Sequence, residues 1–69
     1  MKETGTVKWF DPAKGYGFIT PDGGGADLFV YHKSIVMAGY RSLDEGNRVA
    51  FTRRETERGA AAVDVALLS

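Results

Sequence analysis

Aromatic residues spaced two positions apart are the feature of this chain with the clearest chemical meaning. Tyr16 and Phe18 form one such pair, and Phe29 and Tyr31 form another. Residues two apart in a β-strand point to the same face of the sheet, so each pair presents two rings together. Trp9 lies in a third aromatic cluster. Exposed rings of this kind stack on unpaired bases, and the spacing therefore predicts a platform for single-stranded nucleic acid.

Glycine and lysine residues beside these rings favour the same interpretation. Gly15 and Gly17 flank Tyr16 and carry no side chain, so we expect them to let a flat ligand approach the ring closely. Lys8 and Lys14 lie close to the rings in the sequence and would supply positive charge for phosphate groups.

The elements that position these residues are predicted to be strands. β-Branched and aromatic residues bounded by turn residues predict five of them, over residues 4–10, 16–20, 28–31, 48–55 and 61–67. Segment 32–47 has no sustained period and is predicted to be a long loop, with one helical turn near residues 33–36. Five short strands without a long helix predict an all-β fold, a closed or nearly closed antiparallel barrel that leaves no exposed edge.

Alternation along the strands predicts which side chains fill this barrel. Aromatic residues are usually buried, but inward-pointing rings would leave Ile19, Leu28 and Val30 in water and would crowd a small barrel. We therefore expect a mostly β-branched interior. Its predicted members are Val7, Ile19, Leu28, Val30, Val49, Phe51, Val63 and Val65. The rings would then form an exposed apolar patch, which usually marks a binding site. Val7 and Trp9 have the same parity, so both follow this rule only if a β-bulge or a strong twist intervenes, and the strand period alone does not place Trp9.

Composition narrows the class of protein. The 69 residues are expected to form a single domain, residues 1–69. The absence of cysteine favours a reducing, intracellular environment. The polar start of the chain and the lack of an apolar run of about 20 residues predict a cytoplasmic protein without a membrane segment. Nine basic and nine acidic residues balance to a net charge of zero, which argues against a duplex binder that depends on phosphate contacts.

Three motifs occur in order along the chain, in residues 5–10 (GTVKWF) with 14–19 (KGYGFI), residues 27–30 (DLFV) and residues 43–51. In order and spacing they resemble the bacterial cold-shock domain proteins over nearly the whole chain. The first motif is similar to the first two strands of that family and includes its first ribonucleoprotein motif, residues 27–30 open the second such motif, and residues 43–51 resemble the entry to the fourth strand. The resemblance implies a five-stranded OB-fold barrel that binds single-stranded RNA and DNA with low sequence preference. It also implies a role as an RNA chaperone or a transcription antiterminator.

The resemblance further implies roles for individual residues. By position, the stacking residues are Trp9, Phe10, Tyr16, Phe18, Phe29 and Tyr40, and the polar contacts are Lys8, Lys14 and Asp27. We predict that a strand of roughly six nucleotides crosses the first three strands of the barrel. Tyr31 and His32 are predicted to add stacking contacts, and Lys33 and Arg41 to guide the backbone together with the two lysines.

The second motif departs from the family pattern. The family usually has His and then Phe after the valine, whereas this chain has Tyr31 and His32. We hypothesise that His32 stacks weakly when neutral and contacts a phosphate when protonated, so that affinity rises below about pH 6.5, the reference value for histidine. A solvent-facing histidine without a role is the alternative. Further along the chain, Arg53 replaces a commonly apolar residue and Ala61 a commonly polar one.

Other functions find less support in the sequence. One histidine and no cysteine offer neither a metal site nor an activated nucleophile, so no enzyme activity, cofactor or small-molecule substrate is predicted. The glycines at 23–25 lack the lysine and hydroxyl residue of a phosphate loop. A barrel that binds an extended, proline-rich peptide on its aromatic face is the alternative from a different class, and Lys8 and Lys14 argue against it. A monomer is expected.

Overall fold

The structure of the protein is a computed structural model that describes residues 2–36, 43–57 and 59–68. Five strands form a closed barrel. They are β1 (Glu3–Asp11), β2 (Tyr16–Pro21), β3 (Leu28–Tyr31), β4 (Arg48–Thr56) and β5 (Gly59–Leu67). A single 3₁₀ turn, η1 (His32–Ser34), follows β3, one position before the predicted helical turn. The predicted all-β, five-stranded barrel is confirmed. No described segment is a helix with the length and hydrophobicity to cross a membrane.

The strands follow the order β1-β2-β3-β5-β4 around the barrel. Four of the pairings are antiparallel, as predicted, but β3 and β5 pair in parallel through Phe29 with Ala61 and Val30 with Ala62. The direction of each strand explains this exception. Because β4 is antiparallel to β1 and β5 is antiparallel to β4, β5 runs in the same direction as β1 and β3. The barrel can therefore close only through a parallel pair.

The core consists of the side chains that alternate inward along these strands. It contains Val7, Ile19, Leu28, Val30, Ile35, Leu43, Val49, Phe51, Ala62 and Val65. Ile35 and Leu43 belong to the segment that was predicted to be a loop. Ile35 forms a bridge with Val65, and the N–H of Val36 donates to the Val65 carbonyl over 2.6 Å. The chain after β3 therefore contributes to the core and pairs with β5.

The prediction that Val63 lies in the core is wrong. Val63 is half-buried and Ala62 takes the interior position, because one extra residue in β5 changes the alternation. Thr52 pairs with Val63 and Ala50 pairs with Ala66, so two steps along β4 match three along β5. Asp64 occupies this bulge with φ of 52°, a left-handed conformation that aspartate tolerates better than most residues.

β1 contains a β-bulge between Val7 and Trp9, the first of the two irregularities that their equal parity allowed. Val7 pairs with Ile19 and Trp9 pairs with Phe18, so Lys8 is the extra residue in β1. The bulge rotates the second half of the strand. Val7 is therefore fully buried, whereas Trp9 is 37% exposed on the outside of the barrel.

An ion pair connects β4 to the loop after β2. The guanidinium of Arg48 donates to both carboxylate oxygens of Asp22 over 2.8 and 2.6 Å, and the Thr4 hydroxyl donates to the same carboxylate over 2.7 Å. The hydrogen bond from Arg48 is the main reason that the pKa of Asp22 lies well below its ordinary value of 3.8, and the hydrogen bond from Thr4 lowers the pKa further. A carboxyl group with a lowered pKa stabilises the fold above its ordinary pKa, and this contribution is lost as pH falls through the folded-state pKa.

Replacing Asp22 with asparagine is expected to lower stability at pH 7 and to have a smaller effect in acid. The wild-type protein should lose the contribution of Asp22 below about pH 4, so the difference between the two proteins should shrink there. Urea unfolding at pH 7, 4 and 2.5 measures this. Asp44→Asn is the control, because the Asp44 carboxylate makes no hydrogen bond or ion pair with a described residue. A constant difference between wild type and Asp22→Asn at all three pH values would contradict the assignment.

Candidate nucleic-acid interface

Six rings form a continuous row on the outer face of β1, β2 and β3 and the start of η1. The members of this ring row are Trp9, Tyr16, Phe18, Phe29, Tyr31 and His32. The strand register creates the row because Phe18 pairs with Phe29 and Tyr16 pairs with Tyr31 across β2 and β3. Neighbouring ring centroids in the row lie 4.5 to 6.5 Å apart. The prediction that Tyr16, Phe18, Phe29 and Tyr31 share one outer face is confirmed, and the structure adds Trp9, which the strand period did not place.

The middle of the ring row contains three rings of similar orientation. Tyr16 and Phe29 are inclined by 30° with centroids 5.7 Å apart, and Phe29 and Tyr31 by 15° with centroids 6.5 Å apart. At one end, Trp9 meets Tyr16 at 67° and Phe18 at 52°, so it presents its plane in a different direction. Flat ligands stacked on the middle rings would therefore lie roughly parallel to one another.

The ring row is accessible from solvent. Trp9, Phe29 and Tyr31 are 37%, 36% and 41% exposed, respectively. Tyr16 and Phe18 are half-buried, because each has neighbouring rings in contact with it. The rings thus support one another and still present surfaces to water, which aromatic groups of this size seldom do without a binding role.

Phe10 is placed differently from the other predicted stacking residues. It follows Trp9 directly, so its side chain turns away from the ring row, and it is half-buried against the core. It makes no ring contact with another described aromatic residue. Tyr40 and Arg41, the remaining predicted contacts of the long loop, lie outside the described residues.

The two glycines beside Tyr16 provide space for the protein itself and not for a ligand. A Cβ atom on Gly17 would lie 2.2 Å from the Trp9 carbonyl oxygen and 2.7 Å from the Phe10 Cα, because β1 and β2 approach each other closely there. A Cβ atom on Gly15 would lie 2.6 Å from the ring of His32. Both glycines are buried. The expectation that they clear the approach of a ligand is therefore wrong.

Lys8 and Asp27 form an ion pair beside the ring row. The Lys8 ammonium donates to Asp27 over 2.9 Å, and the Thr20 hydroxyl donates to the other carboxylate oxygen over 3.1 Å. The hydrogen bond from Lys8 is the main reason that the pKa of Asp27 lies below its ordinary value, and partial burial opposes it. Sequence analysis predicted both residues as polar contacts, and the structure brings them together.

An apolar groove of about 650 Å³ extends from the ring row to the start of β5. Phe18, Phe29 and Tyr31 form one wall, and residues 60–63 (Ala-Ala-Ala-Val) form the other. Asp27 also borders it. Sequence analysis missed the alanine wall, because only the parallel pairing of β3 with β5 brings it beside the rings. The unusual residue Ala61 was the available signal.

The described cations divide into paired and unpaired groups. Arg48 pairs with Asp22, and Arg53 donates to both carboxylate oxygens of Glu3 over 3.0 Å each. Lys14 and Lys33 are exposed and have no side-chain hydrogen bond or ion pair to a described residue. The described residues contain no group of three or more metal-ligating side chains. The arrangement thus presents rings and free ammonium groups, which suit bases and phosphates, respectively.

Comparison with known proteins identifies the family of this chain. Residues 3–68 match the family model described as "'Cold-shock' DNA-binding domain". The chain is 51% identical to the cold shock-like protein CspA of Vibrio cholerae over 68 residues, covering 99% of this chain and 97% of the relative. It is 53% identical to the protein of the same name from Stigmatella aurantiaca over 62 residues, covering 90% and 91%.

A solved structure agrees with this match. The chain superimposes on Drosophila Unr CSD456 with a TM-score of 0.83 and 25% identity. All of this chain is covered, and it spans 27% of the length of that structure. The chain therefore belongs to the cold-shock domain family of nucleic-acid-binding proteins.

Proposed function

We propose that this protein binds single-stranded RNA and DNA by stacking unpaired bases on the ring row. The observation that carries the proposal is the continuous row of rings, of which Trp9, Phe29 and Tyr31 are exposed and three share a similar orientation. Every base has a flat face, so such a surface accepts many sequences. A duplex hides its base faces within its own stack, and the ring row would have no access to them.

The polar groups around the rings fit the same ligand. Lys14 and Lys33 carry free ammonium groups suited to phosphates, and Lys8 with Asp27 places a donor beside an acceptor next to the rings. The groove beside Phe29 offers further apolar surface, and its alanine wall has no side-chain donor or acceptor. Apolar surface of this kind cannot distinguish one base from another by hydrogen bonds, so we expect low sequence preference at the rings and the alanine wall.

Binding of this type would give the protein the activity of an RNA chaperone or a transcription antiterminator. A protein that binds only the open form of a hairpin shifts the equilibrium toward that form by mass action. Such a shift requires no nucleotide hydrolysis. We propose that residues 1–69 act as one domain, as a monomer in the cytoplasm.

Three titrations of Trp9 fluorescence test the proposal. Trp9 is the one tryptophan of the chain and belongs to the ring row, so a base stacked nearby should quench it. The ligands are a six-nucleotide pyrimidine strand, the corresponding duplex and a proline-rich peptide. Saturable quenching by the strand, with a much weaker response to the other two, is expected. A response to the peptide alone would favour a protein-interaction module and would overturn the proposal.

A further inference from the structure

One end of the ring row combines an imidazole with two unpaired lysines. The backbone N–H of His32 donates to the backbone carbonyl of Gly15 over 2.8 Å, so the backbone at residues 14–15 meets the backbone at residues 32–33. Lys14 precedes Gly15, and Lys33 follows His32. This contact therefore brings the backbone positions of both lysines to the same end of the row. We call Lys14, His32 and Lys33 the cationic corner.

The imidazole of the cationic corner is held in place. Its ring lies over Gly15, where a Cβ atom would be 2.6 Å from Cδ2 and 3.5 Å from Nε2, and Gly15 has φ of +80°. On its other side the ring contacts Tyr31, with centroids 4.5 Å apart and planes inclined by 50°. His32 is half-buried and still reaches solvent. A phosphate that approaches the corner would thus meet a positioned donor.

No described carboxylate neutralises the lysines of the cationic corner, in contrast to Lys8 near Trp9. There the ammonium of Lys8 is paired with Asp27 over 2.9 Å. Lys14 and Lys33 have no such partner among the described residues. The nearest carboxylate in sequence, that of Asp11, accepts the backbone N–H groups of Ala13 and Lys14 over 3.0 and 3.2 Å and is thereby directed into its own turn.

We propose that the cationic corner binds a phosphate group of the nucleic acid and that protonation of His32 strengthens this contact. Two ammonium groups attract the anion at any pH near neutrality, and the protonated imidazole adds a third positive donor. This inference rests on the proposed function, because the phosphate belongs to a strand stacked on the rings. It assigns a pH-sensitive site to the position at which this chain departs from the family pattern.

The effect of His32 on the pH dependence of binding must be distinguished from that of the other titratable groups on the elements around it. They come from the β1–β2 turn, from the neighbouring strands, from η1 itself and from β5, which packs against η1. The titratable groups on these elements that come closest to His32 in sequence or strand register are Lys14, Tyr16, Tyr31 and Lys33, and Asp11 and Asp64 belong to the same turn and to β5, respectively. His32→Phe leaves all of them in place while keeping an aromatic face. A pH effect that disappears in this variant therefore belongs to the imidazole.

The test measures the affinity of the six-nucleotide strand at pH 8 and pH 5.5. For the wild type we expect a rise of about two- to five-fold on acidification, the range found for exposed ion pairs. His32→Phe should bind with nearly equal affinity at both values. Unchanged wild-type affinity, or a rise that persists in His32→Phe, would overturn the inference. If the strand fails to bind at either pH, the proposed function itself fails.

Salt dependence supplies a second readout that a purely structural role would not change. Lys33→Gln should reduce the slope of log affinity against log salt by about 0.7, the value for one phosphate contact of a single strand. Lys2→Gln is the control, because Lys2 is also exposed but its ammonium already donates to the carbonyl of Asp64. An unchanged slope in Lys33→Gln would contradict the phosphate contact.

Strands with and without a terminal phosphate distinguish two sources of the anion. If a 5′- or 3′-phosphate increases affinity in the wild type and not in Lys33→Gln, the cationic corner holds the end of the strand. If the terminal phosphate has no effect while the pH and salt responses are present, the cationic corner holds a phosphate within the backbone of the strand. Both results support a phosphate site, provided that the pH and salt responses described above are observed.

Discussion

Phe29→Ala is expected to weaken binding of a short single strand roughly 5- to 150-fold, which corresponds to the 1–3 kcal/mol measured per stacked base. Phe29 is the central ring of the row and contacts Tyr16, Phe18 and Tyr31. Its removal eliminates one stacking surface and leaves its neighbours less supported. Fluorescence titration with the six-nucleotide strand at fixed salt measures the change.

Leu67→Ala is the matched control for this prediction. Leu67 is 39% exposed, close to the 36% of Phe29, but it lies at the end of β5 and does not border the groove or the ring row. Its replacement should leave affinity unchanged. Thermal melting of both variants establishes that they are folded at the temperature of the titration. Equal affinities of Phe29→Ala and wild type would show that bases do not stack on the row.

Gly17→Ala is expected to destabilise the fold by about 3 kcal/mol or more, at the upper end for overpacked sites. The added methyl group would lie 2.2 Å from the Trp9 carbonyl oxygen, and backbone atoms cannot move aside as a flexible side chain can. A domain of this size has a total stability of roughly 3–10 kcal/mol. Much of the protein would therefore unfold at low urea concentration, and the unfolding midpoint measures the loss.

Gly23→Ala provides the corresponding control. A Cβ atom on Gly23 would have no heavy atom within 4 Å, so its replacement should change stability by no more than about 0.5 kcal/mol. If Gly17→Ala were as stable as wild type and lost only its affinity for the strand, Gly17 would serve ligand access after all. The pair of variants thus separates strand packing from ligand clearance.

Local spacing was sufficient to predict the outward face of β2 and β3. The strand period of two is a property of the backbone itself, so the parity of Tyr16 and Phe18 relative to Ile19 did not depend on the rest of the fold. The same alternation placed Leu28 and Val30 in the core, where both are fully buried. The motifs of the family were equally local, and the family match over residues 3–68 confirmed them.

The face on which a side chain lies near a β-bulge could be established only from the tertiary structure. Alternation fails wherever one strand has an extra residue, because every later side chain then changes face. The equal parity of Val7 and Trp9 indicated an irregularity in β1, either a bulge or a strong twist, and the structure shows a bulge at Lys8. At Asp64 no such conflict was visible in the sequence, so Val63 was wrongly placed in the core.

The sequence by itself determined that this chain forms a five-stranded barrel with aromatic residues on the outside, because short-range alternation and turn residues specify both. Tertiary structure decided which distant segments meet. The parallel pairing of β3 with β5 placed the alanine wall opposite Phe29, and the contact of Gly15 with His32 gathered the cationic corner. Such contacts depend on how the barrel closes, and no spacing along the chain encodes that closure.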